Sequence, residues 1–164
     1  MAVAEIIGAA IGVLMLVVVA YILVGGTLTA AETVANAQKD LTLQNEVRLN
    51  TMINLSDQKI SGGTIKFNVT NTGNEIISDF EHTDVYTFNN SPSPTYYAQQ
   101  RLIYDAAKSG SPGTWFISQF EHDYVHPTQL DPGEKMWCEA VFVGVNPVWI
   151  GVVTGNGVYD SGII

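Results

Sequence analysis

Cysteine is all but missing from this chain: its 164 residues include one, Cys138, so no intrachain disulfide can form and the scaffold is not a disulfide-stapled one. Charge is scarce too. Only 14% of residues are charged, against roughly 25% in an average soluble protein. Bases are the scarcer sign, 7 against 16 acids, and a net charge of −9 excludes nucleic acid as a partner because phosphate binding needs clustered Lys and Arg. A hydrophobic content of 46% excludes a disordered chain. Catalytic signatures are absent as well: there is no G-x-S-x-G elbow, phosphate loop, G-x-G-x-x-G or H-E-x-x-H. The nearest approach to a base and a nucleophile is His126, before Pro127, and Cys138 within a strand pattern. Nothing local would lower the thiol pKa, so Cys138 reads as a buried structural residue, and neither an enzyme nor a cofactor is expected.

What is there is concentrated at one end. No residue between Glu5 and Glu32 is charged, and Ile6 to Val24 is almost wholly apolar. As a helix rising about 1.5 Å per residue, this stretch covers most of the roughly 30 Å hydrocarbon core of a bilayer. It is too long for the apolar region of a signal peptide, and Gly25-Gly26-Thr27 is a poor cleavage site. No base precedes it, although an anchor with its N-terminus inside normally carries one, and the first base is Lys39. That asymmetry suggests a basic leader removed ahead of Met1. Glu5 at the edge of hydrocarbon then calls for a cation, its own α-amino group or a neighbour's, or else sits in headgroups at a helix N-terminus, where an acid suits the dipole.

The helical pattern continues past the apolar run. Leu28, Ala31, Val34, Ala35, Leu41 and Val47 recur at near-helical spacing among good helix formers with no proline. A helix is expected over residues 1–48, with Gly25 and Gly26 as the place for a bend or a local melt.

From residue 49 the period changes to two. Ile53 and Leu55 alternate with polar residues, Gly62-Gly63 marks a turn, and Ile65, Phe67 and Val69 alternate again. Further strands are expected at 84–88, 95–104, 114–120, 135–143 and 148–153, separated by turn-rich NNSPSP, AAKSGSPG, HPTQLDPGE and GVNP. Seven short strands with no crossover helix predict an α+β chain: a long hydrophobic helix, then an immunoglobulin-like β-sandwich over 49–164. Trp115, Trp137, Trp149 and Tyr124 read as packing aromatics. Three N-x-[ST] triplets, at Asn54, Asn68 and Asn89, are N-glycosylation candidates, with Asn68 and Asn89 expected on polar faces or loops. Glu81, His82 and Asp84 are echoed by Glu121, His122 and Asp123; these are metal-ligand types without a ligand-loop spacing, so no metal is expected.

Taken together, the pieces resemble a known family. M-A-V-A-E followed by an unbroken apolar helix is similar to the mature end of type IV pilin-like proteins. Ile65 to Gly73, ending in Asn71-Thr72-Gly73, resembles a strand and turn of archaellins and the related archaellum stator proteins, as do Pro132-Gly133-Glu134 and the closing turn Thr154 to Val158. The resemblance implies a leader peptidase of the prepilin type and an assembly ATPase and platform. It implies an archaellin, polymerising with itself into an extracellular motility filament and inserted in the cytoplasmic membrane before assembly. Met1 and Glu5 would make the assembly pairing, and Gly8 and Gly12 would allow close helix approach. The alternative is a membrane-anchored stator whose sandwich binds the surface layer; the turns occur in both, and the base-free flank with Glu5 points to the filament.

Overall fold

The structure, a computed structural model, describes residues 2–90 and 98–164. Contacts divide the chain into two units, Met1–Gln44 and Asn45–Ile164. A single helix, α1 (Ala2–Asn50), makes up the first and contributes its last turns to the second. It is helical straight through Gly25 and Gly26, with no melted turn. There the Thr27 and Thr29 hydroxyls donate back to the carbonyls of Val24 and Gly25, at 2.9 and 3.1 Å, as helix-interior threonines do. Every described side chain from Val3 to Leu49 is exposed. Among the described residues α1 is the one helix long and apolar enough to cross a membrane.

Eight strands follow among the described residues: β1 (Ile53–Ser61), β2 (Thr64–Asn71), β3 (Asp84–Phe88), β4 (Gln99–Tyr104), β5 (Thr114–Glu121), β6 (Lys135–Val141), β7 (Trp149–Val153) and β8 (Tyr159–Ile163). They lie in the order β1-β2-β6-β5-β4-β3-β7-β8. All pairings are antiparallel except β4 with β5, a parallel contact of two residue pairs that joins one half, β1-β2-β6-β5, to the other, β4-β3-β7-β8. At the far seam β1 and β8 meet through a side chain: the Leu55 N–H donates to Asp160 Oδ2 at 2.7 Å. The result is the expected helix followed by a β-sandwich, closed far enough to approach a barrel. The eighth strand, β8, was not among those expected. Its sequence YDSGI has no apolar alternation, and the register against β7, Trp149↔Ile163 through Val153↔Tyr159, is what makes it a strand. The expected start of β4, residues 95–97, and the turn residues 91–94 lie outside the described residues.

Period two places the core. Ile65, Phe67 and Val69 of β2 face inward opposite Ala140, Cys138 and Met136 of β6, and Trp115 and Ile117 of β5 pair with Ala140 and Cys138 on the other side. Val85, Leu102, Ile150 and Val152 supply the facing half. The hairpin β1–β2 turns at Gly62-Gly63 with φ of 61° and 84°, the left-handed pair that a two-residue hairpin of the primed type requires. Trp115 is buried and Trp149 partly so, but Tyr124 is 82% and Trp137 45% exposed, so these last two are not core packing as expected. Trp137 lies on the outward face of β6, and Tyr124 lies on a connection beyond β5.

Candidate functional site

The three turns that carried the resemblance lie far apart in sequence, yet they meet around one stretch of backbone, residues 47–52, where α1 ends and β1 begins. A helix C-terminus leaves carbonyls without intrahelical partners. Here the Asn50 carbonyl accepts the N–H groups of Asn74 (2.8 Å) and Glu75 (3.3 Å), and the Met52 carbonyl accepts those of Thr72 (2.9 Å) and Gly73 (3.1 Å). The approach is so close that a Cβ on Gly73 would overlap the Asn50 carbonyl oxygen and the Met52 nitrogen. Only glycine fits that turn position.

Asn71 holds the second turn to the first. It is fully buried, and its side-chain Nδ2 donates to the carbonyls of Glu75 (2.7 Å) and Leu130 (2.9 Å) while its Oδ1 accepts the Gly73 N–H (3.0 Å). Its backbone pairs with the Pro132-Gly133-Glu134 turn, N–H to the Glu134 carbonyl at 2.9 Å and carbonyl to the Gly133 N–H at 2.8 Å. Glu134 in turn accepts the Asp131 N–H on Oε2 at 3.0 Å. The third turn reaches the joint through Asn156, whose Nδ2 donates to Thr51 Oγ1 at 2.6 Å and whose Oδ1 accepts the Thr154 hydroxyl at 2.5 Å. Thr51, itself buried, donates its hydroxyl to the Val47 carbonyl at 2.8 Å. The collar is therefore built mainly of backbone groups and neutral side chains. Such an arrangement fixes the last turn of the helix in the β-domain. A cleft of about 270 Å³ opens beside it between Val47, Glu75–Asp79 and Thr154–Asn156.

The other sequence candidates fall elsewhere. Met1 lies outside the described residues. Glu5 is exposed in the first turn of α1, and a Cβ on Gly8 or Gly12 would touch nothing within 4 Å, as it would on Gly25 or Gly26. Of the three glycosylation candidates, Asn54 is exposed on β1, whereas Asn68, on an outward position of β2, and Asn89, in the connection after β3, are buried there at 1% and 3% exposed. Asn68 does point outward by its position in β2, but a bulge in β1 between Ser56 and Lys59 brings Asp57 over it, and Asn68 Nδ2 donates to Asp57 Oδ2 at 2.9 Å. Asn89 is enclosed where its N–H meets the Ala98 carbonyl at 2.8 Å; Ser91 of its triplet lies outside the described residues.

The acid–histidine echoes do not converge. His82 bonds Asp79 at 2.8 Å, Asp84 is held by Arg101 at 2.7 Å, and Glu121 lies 3.8 Å from Lys135. Among the described residues no three His, Cys, Asp or Glu side chains group as metal ligands would. Cys138 is buried in the core, where desolvation pushes its thiol pKa far above the ordinary value, and His126 is bonded to Asp131 at 2.9 Å. Sequence reasoning found the collar's turns but not their meeting.

No protein-family model and no curated protein matches the chain. Among the solved structures similar to it are two from one organism. One is the archaellum periplasmic stator protein FlaG from Sulfolobus acidocaldarius, 19% identical, covering 70% of this chain and 99% of that chain with a TM-score of 0.49. The other is the archaellum periplasmic stator protein complex of FlaF and FlaG from the same organism, 19% identical, covering 68% and 87% with a TM-score of 0.46.

Proposed function

We propose that this chain is a membrane-anchored, non-enzymatic component of an archaellum-type surface apparatus, holding its β-domain outside the bilayer as a docking module in the manner of a stator. The observation that carries this reading is the division of apolar surface. The β-domain closes its own core, while Ile6 to Val24 of α1 is apolar on every side and uncovered. A bilayer covers such a segment completely and asks for no second chain. The collar then has a mechanical meaning: its bonds around Asn50 hold the last turn of α1 in the docking domain.

A polymerising filament subunit is the second reading, and one observation favours it. Glu5 is an exposed carboxylate at the start of an apolar helix, beside the small residues Gly8 and Gly12, where a neighbour's amine and a neighbour's helix would both fit. In that reading the chain repeats one surface patch into an open helix.

Cell fractionation with mass spectrometry of the native N-terminus tests the two. The anchored reading expects the chain in the membrane pellet, resisting high-salt washing and released by detergent. Recovery in sheared extracellular fibres, with an N-terminus generated by cleavage, overturns it in favour of the filament.

A further inference from the structure

The connection between β5 and β6 is strained and tied by hydrogen bonds, and it displays apolar side chains. Two of its residues, His122 and Thr128, hold φ of 63° and 68° without being glycine. For a β-branched residue such as Thr128 the left-handed region is an outlier, which persists only when its surroundings over-determine it. They do so here. Both oxygens of the Asp123 carboxylate accept the Thr128 N–H, at 3.0 and 3.2 Å; the Tyr124 N–H donates to the His122 carbonyl at 2.8 Å and the Gln129 N–H to the His126 carbonyl at 3.0 Å. Both the N–H and the ring of His126 are tied to Asp131, at 3.2 and 2.9 Å. Between these anchors stand Tyr124, 82% exposed, and Val125, 70% exposed. The Tyr124 ring lies edge-on to His122 with centroids 6.0 Å apart. Ordering cost is thus met before any partner arrives, the condition for a binding anchor.

We propose that Tyr124 and Val125 are the anchor by which this domain docks a second protein, one whose surface offers an apolar pocket ringed by Lys and Arg. Tyrosine is among the residues that dominate interface energetics. The ring of bases follows from charge: residues 121–134 contain Glu121, Asp123, Asp131 and Glu134 and no Lys or Arg, and the first base, Lys135, is 3.8 Å from Glu121. The same charge argues against other occupants. A second copy, from a chain with 16 acids and 7 bases, brings few cations, and anionic lipid headgroups are repelled.

The inference rests on the reading that the β-domain lies outside the membrane, and the test separates the two. An Ile103→Cys variant of the full chain, far from the tip in sequence and 67% exposed in the native chain, should be labelled in intact cells by a membrane-impermeant maleimide, while native Cys138 is buried and stays unlabelled. Failure there overturns the topology. A photo-crosslinking amino acid is then placed at position 124 and, as a control, at position 159, whose native tyrosine is 72% exposed on β8. The expected result is a crosslink to a second protein from 124 and not from 159. That protein, purified, should bind full-length chain roughly thirtyfold more weakly after Tyr124→Ala. Tyr124→Phe should largely retain binding, and raised salt should weaken it. The proposal is overturned by adducts to lipid or to a second copy, by equal yields at 124 and 159, by no crosslink at 124, or by unchanged affinity of Tyr124→Ala with an unchanged melting temperature.

Discussion

Valine has opposite fates in the two units of this molecule. In α1, Val13, Val17, Val18 and Val19 stand 46–64% exposed, while Val69, Val85 and Val152 of the β-domain are at 1%, 0% and 1%. The side chain is the same; the period around it differs. Alternation at two gives a strand one apolar face that a second sheet can cover from within the chain. An unbroken apolar run on a helix gives every face to the outside. Each uncovered large side chain forgoes about 1.5–3 kcal/mol until lipid or another helix meets it. The β-domain therefore closes its own core and the apolar run of α1 does not, and the collar at Asn50 lies within the unit that closes its core.

Breaking the comparison at the helix should have the largest effect. Val17→Asp places a carboxylate in the middle of the apolar run and should disfavour membrane insertion by roughly 3 kcal/mol. The full chain should shift from pellet to supernatant or be degraded, while the thermal unfolding of the β-domain in detergent stays within about 0.5 kcal/mol of native. A matching loss of domain stability would show that the two units are energetically one.

Next is the collar. Asn71→Ala removes three hydrogen bonds at a fully buried position and leaves the carbonyls of Glu75 and Leu130 without the amide. It should destabilise the domain by about 2–3 kcal/mol. Gly73→Ala, forced against the Asn50 carbonyl, should cost about 1–3 kcal/mol by a different route. Denaturant unfolding of the full chain in detergent measures both, and membrane partitioning should not change. Wild-type stability in both variants would remove the collar as the joint.

How much of this could be read without coordinates follows the same division. The apolar run needed no tertiary information, because its length alone matches a bilayer. The strand Asp84–Phe88 was expected with its observed ends, since Val85 and Thr87 alternate cleanly inward. β8 was missed because Asp160, Ser161 and Gly162 give no period; its place depends on β7 and on the Asp160 carboxylate meeting Leu55. Alternation sends Asn68 to an outward, polar face of β2, and the bulge that carries Asp57 over it is not written in any local pattern. The collar was half legible. Asn71, Gly133 and Asn156 are each visible as turn residues, but 61 and 22 residues separate them, and nothing in a single sequence reports such a meeting.

The smallest effect is expected at the domain surface beside the cleft, where electrostatics should be nearly free of consequence for the fold. His82 is exposed and its pKa is raised above the ordinary 6.5, first by its hydrogen bond to Asp79 and then by that carboxylate's charge. A raised folded pKa means the pair contributes while His82 is protonated, fully below the unfolded value near 6.5, and the contribution fades as pH rises through the folded value. Solvent screening keeps it small. An NMR titration of the full chain should therefore find the His82 midpoint above that of a free histidine, and Asp79→Asn should bring it back down. The melting temperature between pH 6 and 8 should barely move in either protein. A large pH-dependent loss of stability on Asp79→Asn would mean that this carboxylate, 3.1 Å from where a Cβ on Gly155 would stand, is part of the joint and not merely its neighbour.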